Sequence, residues 1–232
     1  MLKGHVLFFD LDRTLWDFDA NSKVALENIF SELELQSRLQ TSFEEFHKHY
    51  MRYNEQCWKD YREGRLSKEI LRFRRFLLAL EHFGHDDTGL SKVMGDRYVE
   101  ISPYQTRLVP GTMDLLSRCR DLGYEMHIIT NGFEEIQDIK LKNSGIRDFF
   151  DHIITSEVIG ERKPHPIVFE YALELTNSSA EQSVMIGDDF EADIIGAKKA
   201  GWKQVYYNPN GQEIQEKITL QISSLDELIP FI

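Results

Sequence analysis

The sequence has few of the features that mark secreted, membrane or zinc-thiolate proteins. It contains only two cysteines in 232 residues, and Cys57 and Cys119 form neither a CxxC pair nor a zinc-type spacing. We therefore expect both thiols to be reduced, as in cytoplasmic proteins. No apolar run approaches the length that spans a membrane, and the segment Met1–His5 has no signal-peptide pattern. The sequence thus predicts a cytoplasmic protein without a membrane partner.

Positive charge is also scarce. The chain has 27 Lys and Arg against 39 Asp and Glu, a formal net charge of −12, and no cluster of basic residues stands out as a docking stripe. Because this balance repels a phosphate backbone, we do not expect a nucleic-acid polymer as a partner. A small anionic substrate remains compatible with this charge if local cations or a metal offset the acidic field.

What is present is an alternation of short apolar runs and helical patterns. The apolar runs end at turn or polar residues and cover residues 5–9, 124–129, 183–186 and 203–207, with a weaker run at 152–155. Helical patterns follow at residues 113–122, 134–142, 166–175 and 190–200. Continuous apolar strands alternating with helices are typical of a doubly wound parallel sheet covered on both faces. The predicted fold class is α/β.

A long insertion separates the first strand from the second. Residues 19–102 contain no proline and show helical patterns at 20–35, 42–62, 67–83 and 89–101. This length is far more than one connecting helix needs, so we predict a second domain seated over the strand ends. The predicted core comprises residues 1–16 and 103–232, and the predicted helical domain comprises residues 17–102.

Two aspartates follow the first strand directly. Asp10 and Asp12 are spaced i, i+2, so an extended backbone points both side chains the same way. Two carboxylates at the end of a buried strand are costly unless a cation or a reaction requires them. They are therefore a candidate metal-assisted catalytic pair.

Other polar residues follow the later strands. Ligands of open parallel sheets bind beyond the carboxyl ends of the strands. Thr130, Asn131, Asp188 and Asp189 occupy that position in the sequence, and Lys163 lies in a loop that can reach the same edge.

Four segments together resemble the motifs of the haloacid dehalogenase-like phosphohydrolases. They are Asp10-x-Asp12-x-Thr14, Thr130-Asn131, Lys163-Pro164, and Gly187-Asp188-Asp189 with Asp193. The insertion resembles the helical cap of the first cap class of that superfamily. Residues 10–18 and 156–164 look like its pyrimidine 5′-nucleotidase branch. The resemblance implies a Rossmann-like core with an inserted cap, and a phosphatase acting on small phosphorylated metabolites such as nucleoside 5′-monophosphates.

The resemblance also implies a role for each motif residue. Asp10 is the expected nucleophile, and Asp12 the expected general acid and base. Mg²⁺ is the expected cofactor, with the Asp10 and Asp188 side chains and the Asp12 carbonyl as ligands. Thr130, Asn131 and Lys163 are expected to hold the phosphate, with the backbone amide of Gly132. Asp189 and Asp193 are expected to orient the metal ligands.

Some choices stay open at this point. Arg13, Trp16 and Phe18 follow the nucleophile and are candidates for substrate specificity, although packing is the alternative for the two aromatic rings. A sugar-phosphate phosphatase or a phosphomutase of the same fold is the alternative function. A non-catalytic nucleotide-binding regulator is the more distant one. The expected assembly is a monomer or a homodimer.

Overall fold

The computed structural model describes residues 2–232 and contains one six-stranded parallel sheet. Its strands are β1 (Val6–Phe9), β2 (Met126–Thr130), β3 (His152–Thr155), β4 (Ser183–Gly187), β5 (Lys203–Tyr207) and β6 (Leu220–Ile222). The spatial order is β3-β2-β1-β4-β5-β6, so the chain moves outward from β1 in one direction and then returns to its other side. The strand order therefore reverses between β1 and β4, which is where ligands bind in such sheets. The predicted α/β class with a parallel sheet is confirmed.

The strands at the centre of the sheet are buried on both faces. Leu7 pairs in register with Met126 of β2 and Val184 of β4, and all three side chains are at most 2% exposed. Strand β6 was not predicted. It has only three residues and exposes Gln221, so it lacks the apolar run that identifies the other strands.

Helices connect the strands of the sheet. They are α6 (Thr112–Asp121), α7 (Glu134–Asn143), α8 (Ser156–Ile159), α9 (Pro166–Thr176) and α10 (Gly196–Lys199). The chain also has 3₁₀ segments at Ser102–Tyr104, Arg147–Phe149, Ala180–Gln182 and Leu225–Phe231. The helix predicted over 190–200 is instead a π-helix, Phe190–Ile195, that continues into α10.

The inserted segment consists of helices joined by short turns. Its helices are α1 (Phe18–Glu32), α2 (Leu35–Leu39), α3 (Phe43–Arg62), α4 (Lys68–His82) and α5 (Thr88–Ile101). The side chains of Ser42, Ser67 and Asp87 cap the last three of these at their N-termini. The predicted helix 20–35 ends early because Glu34 adopts a left-handed conformation with φ of 51°. Phe46, Tyr50 and Phe76 are fully buried in the core of this segment.

The chain divides into two compact units. One comprises Met1–Phe18 with Thr106–Ile232, and the other comprises Asp19–Gln105. These bounds lie two to three residues from those of the predicted domains, and the action of the helical unit as a cap stays a prediction. Within residues 2–232, no helix is both long and apolar enough to cross a bilayer.

Candidate active site

Three neighbouring strands end in polar residues at one edge of the sheet. Asp10 follows β1, Thr130 is the last residue of β2, and Asp188 follows Gly187 at the end of β4. The backbone N–H of Asp10 donates to the carbonyl of Ile186, which keeps β1 and β4 paired up to the site. Residues far apart in sequence thus meet at the point where the strand order reverses.

Lys163 is the cation at the centre of this group. Its side chain is 2% exposed, and its Nζ lies 2.8 Å from Asp10 Oδ1 and 2.6 Å from Asp193 Oδ1. The same ammonium donates to the carbonyl oxygen of Ile129 at 2.6 Å. One buried ammonium therefore joins two carboxylates that the sequence separates by most of the chain.

Three carboxylates lie close together at this edge of the sheet. Oxygen atoms of Asp10, Asp188 and Asp193 all lie within 4.8 Å of one another. The Thr14 hydroxyl lies between two of them, 3.4 Å from Asp10 Oδ2 and 3.2 Å from Asp188 Oδ1. The predicted grouping of these motif residues is therefore present in the structure.

Burial makes this carboxylate cluster electrostatically unfavourable. It raises the pKa of Asp193 to about 7, although the Lys163 ammonium opposes the shift. The pKa of Asp10 is also raised by burial, again against Lys163. That of Asp188 is well above its usual range, because burial and the charges of Asp10 and Asp193 act together. The two carboxylates in turn raise the pKa of Lys163, outweighing the opposite effect of its own burial.

This donor set fits a hard divalent cation. All the side-chain donors of the cluster are carboxylate oxygens, the ligands that Mg²⁺ prefers in proteins. The cluster has three carboxylates, and the Lys163 ammonium pairs with two of them, so a divalent cation would balance the remaining negative charge. Both oxygens of Asp193 are engaged, Oδ1 by the Lys163 ammonium and Oδ2 by the backbone N–H of Asp189, whereas Lys163 engages only Oδ1 of Asp10. Asp10 and Asp188 are accordingly the side chains best placed to hold the metal.

The loop after β2 is tied to the loop that carries Lys163. The side-chain amide of Asn131 donates to the carbonyl of Lys163 at 3.0 Å, and the backbone N–H of Lys163 donates back to Asn131 Oδ1 at 2.8 Å. The Asn131 side chain is therefore used to position Lys163, and a phosphate contact would come from its backbone. The backbone N–H of Gly132 donates to the Thr130 hydroxyl at 3.0 Å, so it is already engaged within the loop.

Two residues of α7 that sequence analysis missed contact Asp12. Lys140 Nζ lies 2.6 Å and 2.9 Å from the two oxygens of Asp12, and its residue is only 5% exposed. The Gln137 side-chain amide donates to Asp12 Oδ2 at 3.0 Å and to the Thr130 hydroxyl at 2.8 Å. The spacing i, i+3 places residues 137 and 140 on one face of a helix, but it does not indicate whether that face points to the site or to solvent. Lys and Gln on an amphipathic helix are, however, usually solvent-exposed.

Asp189 and Asp193 differ in what they contact. The Asp189 side chain accepts hydrogen bonds from the backbone N–H groups of Glu191 and Ala192 at 3.1 and 3.0 Å, so it caps the π-helix that follows. Asp193 Oδ2 accepts from the backbone N–H of Asp189 at 3.1 Å. A Cβ at Gly187 would overlap the Asp193 carboxylate, which explains the glycine at that position.

The three specificity candidates lie in different surroundings. Trp16 is 1% exposed and packs in the core, with the Lys140 ammonium 4.4 Å from its ring centroid. This position favours the packing alternative for Trp16. Phe18 is half-buried, and the exposed Arg13 guanidinium lies 4.5 Å from its ring centroid. The charge of Arg13 also opposes the rise in the pKa of Asp188, so Arg13 lies close to the site.

The match of the chain to a family model agrees with this geometry. Residues 5–201 match the haloacid dehalogenase-like hydrolases. The chain belongs to this family. The predicted family membership is therefore confirmed. The prediction that the protein is an enzyme, a phosphoric monoester hydrolase, is confirmed with it.

Two curated relatives extend over nearly the full length of this family member. The pyrimidine 5′-nucleotidase YjjG of Escherichia coli is 33% identical over 230 residues, covering 98% of this chain and 97% of the relative. The pyrimidine 5′-nucleotidase PynA of Streptococcus pneumoniae is 31% identical over 226 residues, covering 96% and 92%. The predicted resemblance to the pyrimidine 5′-nucleotidase branch is confirmed.

A solved structure of the family has the same architecture. The HAD-hydrolase YfnB of Bacillus subtilis, determined with bound magnesium, superposes with a TM-score of 0.88 at 28% identity, covering 98% of this chain and 97% of YfnB. The shared fold therefore includes both the sheet and the helical insertion of this family member.

Proposed function

We propose that the protein is a Mg²⁺-dependent phosphatase that hydrolyses small phosphate monoesters, with nucleoside 5′-monophosphates as its preferred substrates. One observation carries the proposal: Asp10 lies at the point of strand reversal, within 2.8 Å of the buried Lys163 ammonium and beside two further carboxylates. The full-length similarity to two pyrimidine 5′-nucleotidases supports the substrate class.

In the first step, a carboxylate oxygen of Asp10 attacks phosphorus to form an aspartyl-phosphate. The bond between phosphorus and the leaving oxygen breaks, and that oxygen takes a proton from the Asp12 carboxyl group. Lys163 keeps the attacking carboxylate in place and offsets the negative charge of the phosphoryl group.

In the second step, water hydrolyses the aspartyl-phosphate. Asp12, now a carboxylate, accepts a proton from this water while the water oxygen attacks phosphorus. The bond between phosphorus and the Asp10 oxygen breaks, inorganic phosphate leaves, and the carboxylate of Asp10 is restored. Both steps need the Asp12 side chain near the oxygen that gains or loses a proton.

The phosphoryl oxygens are held by the ends of β2 and the Lys163 loop. The Thr130 hydroxyl accepts two hydrogen bonds, from Gly132 and Gln137, and its own hydrogen is used in neither, so it can point to a phosphoryl oxygen. The Asp10 and Asp188 side chains and the Asp12 carbonyl would hold Mg²⁺, which would supply positive charge beside the phosphoryl group. Asp193 orients Lys163, and Asp189 fixes the backbone that follows Asp188.

A substrate panel tests the function. Phosphate release should be measured from nucleoside 5′-monophosphates, sugar phosphates and p-nitrophenyl phosphate, with Mg²⁺ and with EDTA. We expect Mg²⁺-dependent release, fastest from pyrimidine nucleotides. Faster release from sugar phosphates would favour a sugar-phosphate phosphatase, and activation by a bisphosphate without net release would favour a phosphomutase. Nucleotide binding without release under any condition would favour a regulator.

Substitution of the nucleophile tests the mechanism. Asp10→Asn should abolish phosphate release because an amide oxygen does not form the aspartyl-phosphate, and the fold should remain because the amide keeps the size of the side chain. Asp121→Asn, which removes an exposed carboxylate at the end of α6, is the matched control and should retain full activity. Turnover by Asp10→Asn would contradict the covalent mechanism.

A further inference from the structure

We infer that Lys140, together with Gln137, is a positioning residue that holds the Asp12 carboxyl group where it exchanges protons with the leaving oxygen and with water. This inference rests on the proposed function, in which Asp12 is the general acid and base, and it names the residues that position Asp12. No motif of the family resemblance includes either residue.

The contacts to Asp12 constrain both of its oxygens. The Lys140 ammonium lies within hydrogen-bond distance of each, at 2.6 and 2.9 Å, and the Gln137 amide adds a third contact at 3.0 Å. The Asp12 side chain is 24% exposed, so it would otherwise be free to rotate toward solvent. A carboxylate held at both oxygens has its plane and direction fixed.

Lys140 is itself held in place on its other side. The ammonium lies 4.4 Å from the centroid of the buried Trp16 ring and 5.8 Å from that of Phe18. A cation over an aromatic face is stabilised by the ring quadrupole, which restricts where the lysine can go. Trp16, a candidate for substrate specificity from the sequence, therefore helps to hold Lys140 in place, and Lys140 in turn holds Asp12.

Gln137 connects Asp12 to the phosphate-holding loop. The same side-chain amide donates one hydrogen to Asp12 and the other to the Thr130 hydroxyl. A Cβ at Gly132 would overlap this amide, so the glycine leaves room for it. The proton-transfer group and the phosphate-binding hydroxyl thus share one support from α7.

The structure offers a matched pair of lysines on α7 for the test. Lys142 is two residues away, 64% exposed, and pairs with Asp138 at 2.7 Å at the surface. Lys140→Met removes the charge near Asp12 while keeping an unbranched side chain against Trp16. Lys142→Met makes the same chemical change away from the site.

Two substrates that differ in their leaving groups separate an effect on proton transfer from a general loss of activity. With a nucleoside monophosphate, Lys140→Met should lower kcat about 10–100-fold with little change in KM. This is smaller than the roughly 10²–10⁴-fold contribution of a general acid or base itself, because Asp12 is still present and only its position is disturbed. The leaving group of p-nitrophenyl phosphate needs no proton. With this substrate, Lys140→Met should release the first equivalent of p-nitrophenol at the wild-type rate, as a burst, and the hydrolysis of the aspartyl-phosphate that follows should be slow. Lys142→Met should match the wild type with both substrates.

Three results would overturn the inference. The first is a wild-type kcat in Lys140→Met. The second is a burst that slows by the same factor as kcat. The third is a loss of kcat in the double variant Asp12→Asn/Lys140→Met that equals the product of the two single-variant losses. Residues that act as a unit give non-additive losses, so the double variant should resemble Asp12→Asn. If the wild-type protein releases no phosphate from any monoester, the proposed function itself is wrong. If the wild type is active and one of the three results above is found, only the role of Lys140 is wrong.

Discussion

Lys163 illustrates how one residue serves both the fold and the site. Its ammonium is buried with two carboxylates that burial makes costly, so each group depends on the others. Removing one partner of a buried ion pair leaves the remaining charge without compensation, which costs more than the pair contributes.

Lys163→Met should therefore destabilise the protein as well as inactivate it. We expect a loss of about 3 kcal/mol in the free energy of unfolding at neutral pH, measured by urea denaturation in EDTA. The exposed Lys142→Met is the control and should change this free energy by less than about 0.5 kcal/mol. Equal stability of Lys163→Met and the wild type would show that the buried pair is not linked to folding.

At the same scale, sequence patterns identify residues whose chemistry is unusual in its setting. Asp10 and Asp12 stand out because two carboxylates follow a buried strand. Lys140 and Gln137 do not stand out, since the same residue types cover the solvent face of most helices. Only the packing of α7 against the sheet edge turns these two side chains inward, and helical periodicity alone gives no such information.

At the scale of elements, the strands and most helices could be predicted because their apolar patterns are strong. The capped helices α3, α4 and α5 begin within one residue of the predicted starts. The segment 190–200 could not be predicted in detail, because helical periodicity shows neither the local hydrogen bonds of the Asp189 and Asp193 side chains nor the ion pair of Asp193 with Lys163. Strand β6 forms by pairing with β5, although its own three residues carry almost no pattern.

Strand β2 contains a histidine that should make stability sensitive to acid. His127 is 2% exposed, both ring nitrogens lack a hydrogen-bond partner among the described residues, and burial lowers its pKa to about 4. The unfolded chain takes up the proton near pH 6.5, before the folded protein does. The contribution of His127 is therefore complete above that pH and is lost as the pH falls toward 4.

His127→Phe should remove this acid sensitivity. Between pH 7 and pH 4 the wild type should lose up to about 3 kcal/mol more than the variant, measured by denaturant unfolding at each pH. The comparison must be made as a difference, because the raised pKa values of the carboxylate cluster act in the opposite direction. The exposed His85→Gln is the control, and parallel curves for wild type and His127→Phe would contradict the assignment.

At the scale of the whole molecule, the negative charge concentrates where the cation is proposed to bind. The chain carries a net charge of −12, and three of its carboxylates lie close together at this site, buried or partly buried, where they repel one another. Binding of Mg²⁺ to the folded state alone should relieve this repulsion and stabilise the protein by mass action.

The melting temperature should therefore rise with Mg²⁺ concentration at pH 7.5 and constant ionic strength. Asp188→Asn removes a proposed ligand and should reduce this rise, whereas Asp86→Asn, an exposed carboxylate in the helical unit, should leave it intact. Differential scanning calorimetry with EDTA as the zero point measures both. An equal rise in Asp188→Asn would mean that Mg²⁺ acts through the general surface charge.

The position of β1 between β2 and β4 has a consequence for biosynthesis. The ribosome produces this strand before the others of the sheet, yet β2 emerges only after the entire helical unit, and β4 only after most of the remaining chain. Pairings so distant along the chain form late, because closing long loops is entropically costly. Helices α1 to α5 have local contacts and can assemble while translation continues. We therefore expect a nascent chain that stalls before β4 to carry an assembled helical unit but to lack Asp188 and Asp193, so that its site is incomplete and inactive.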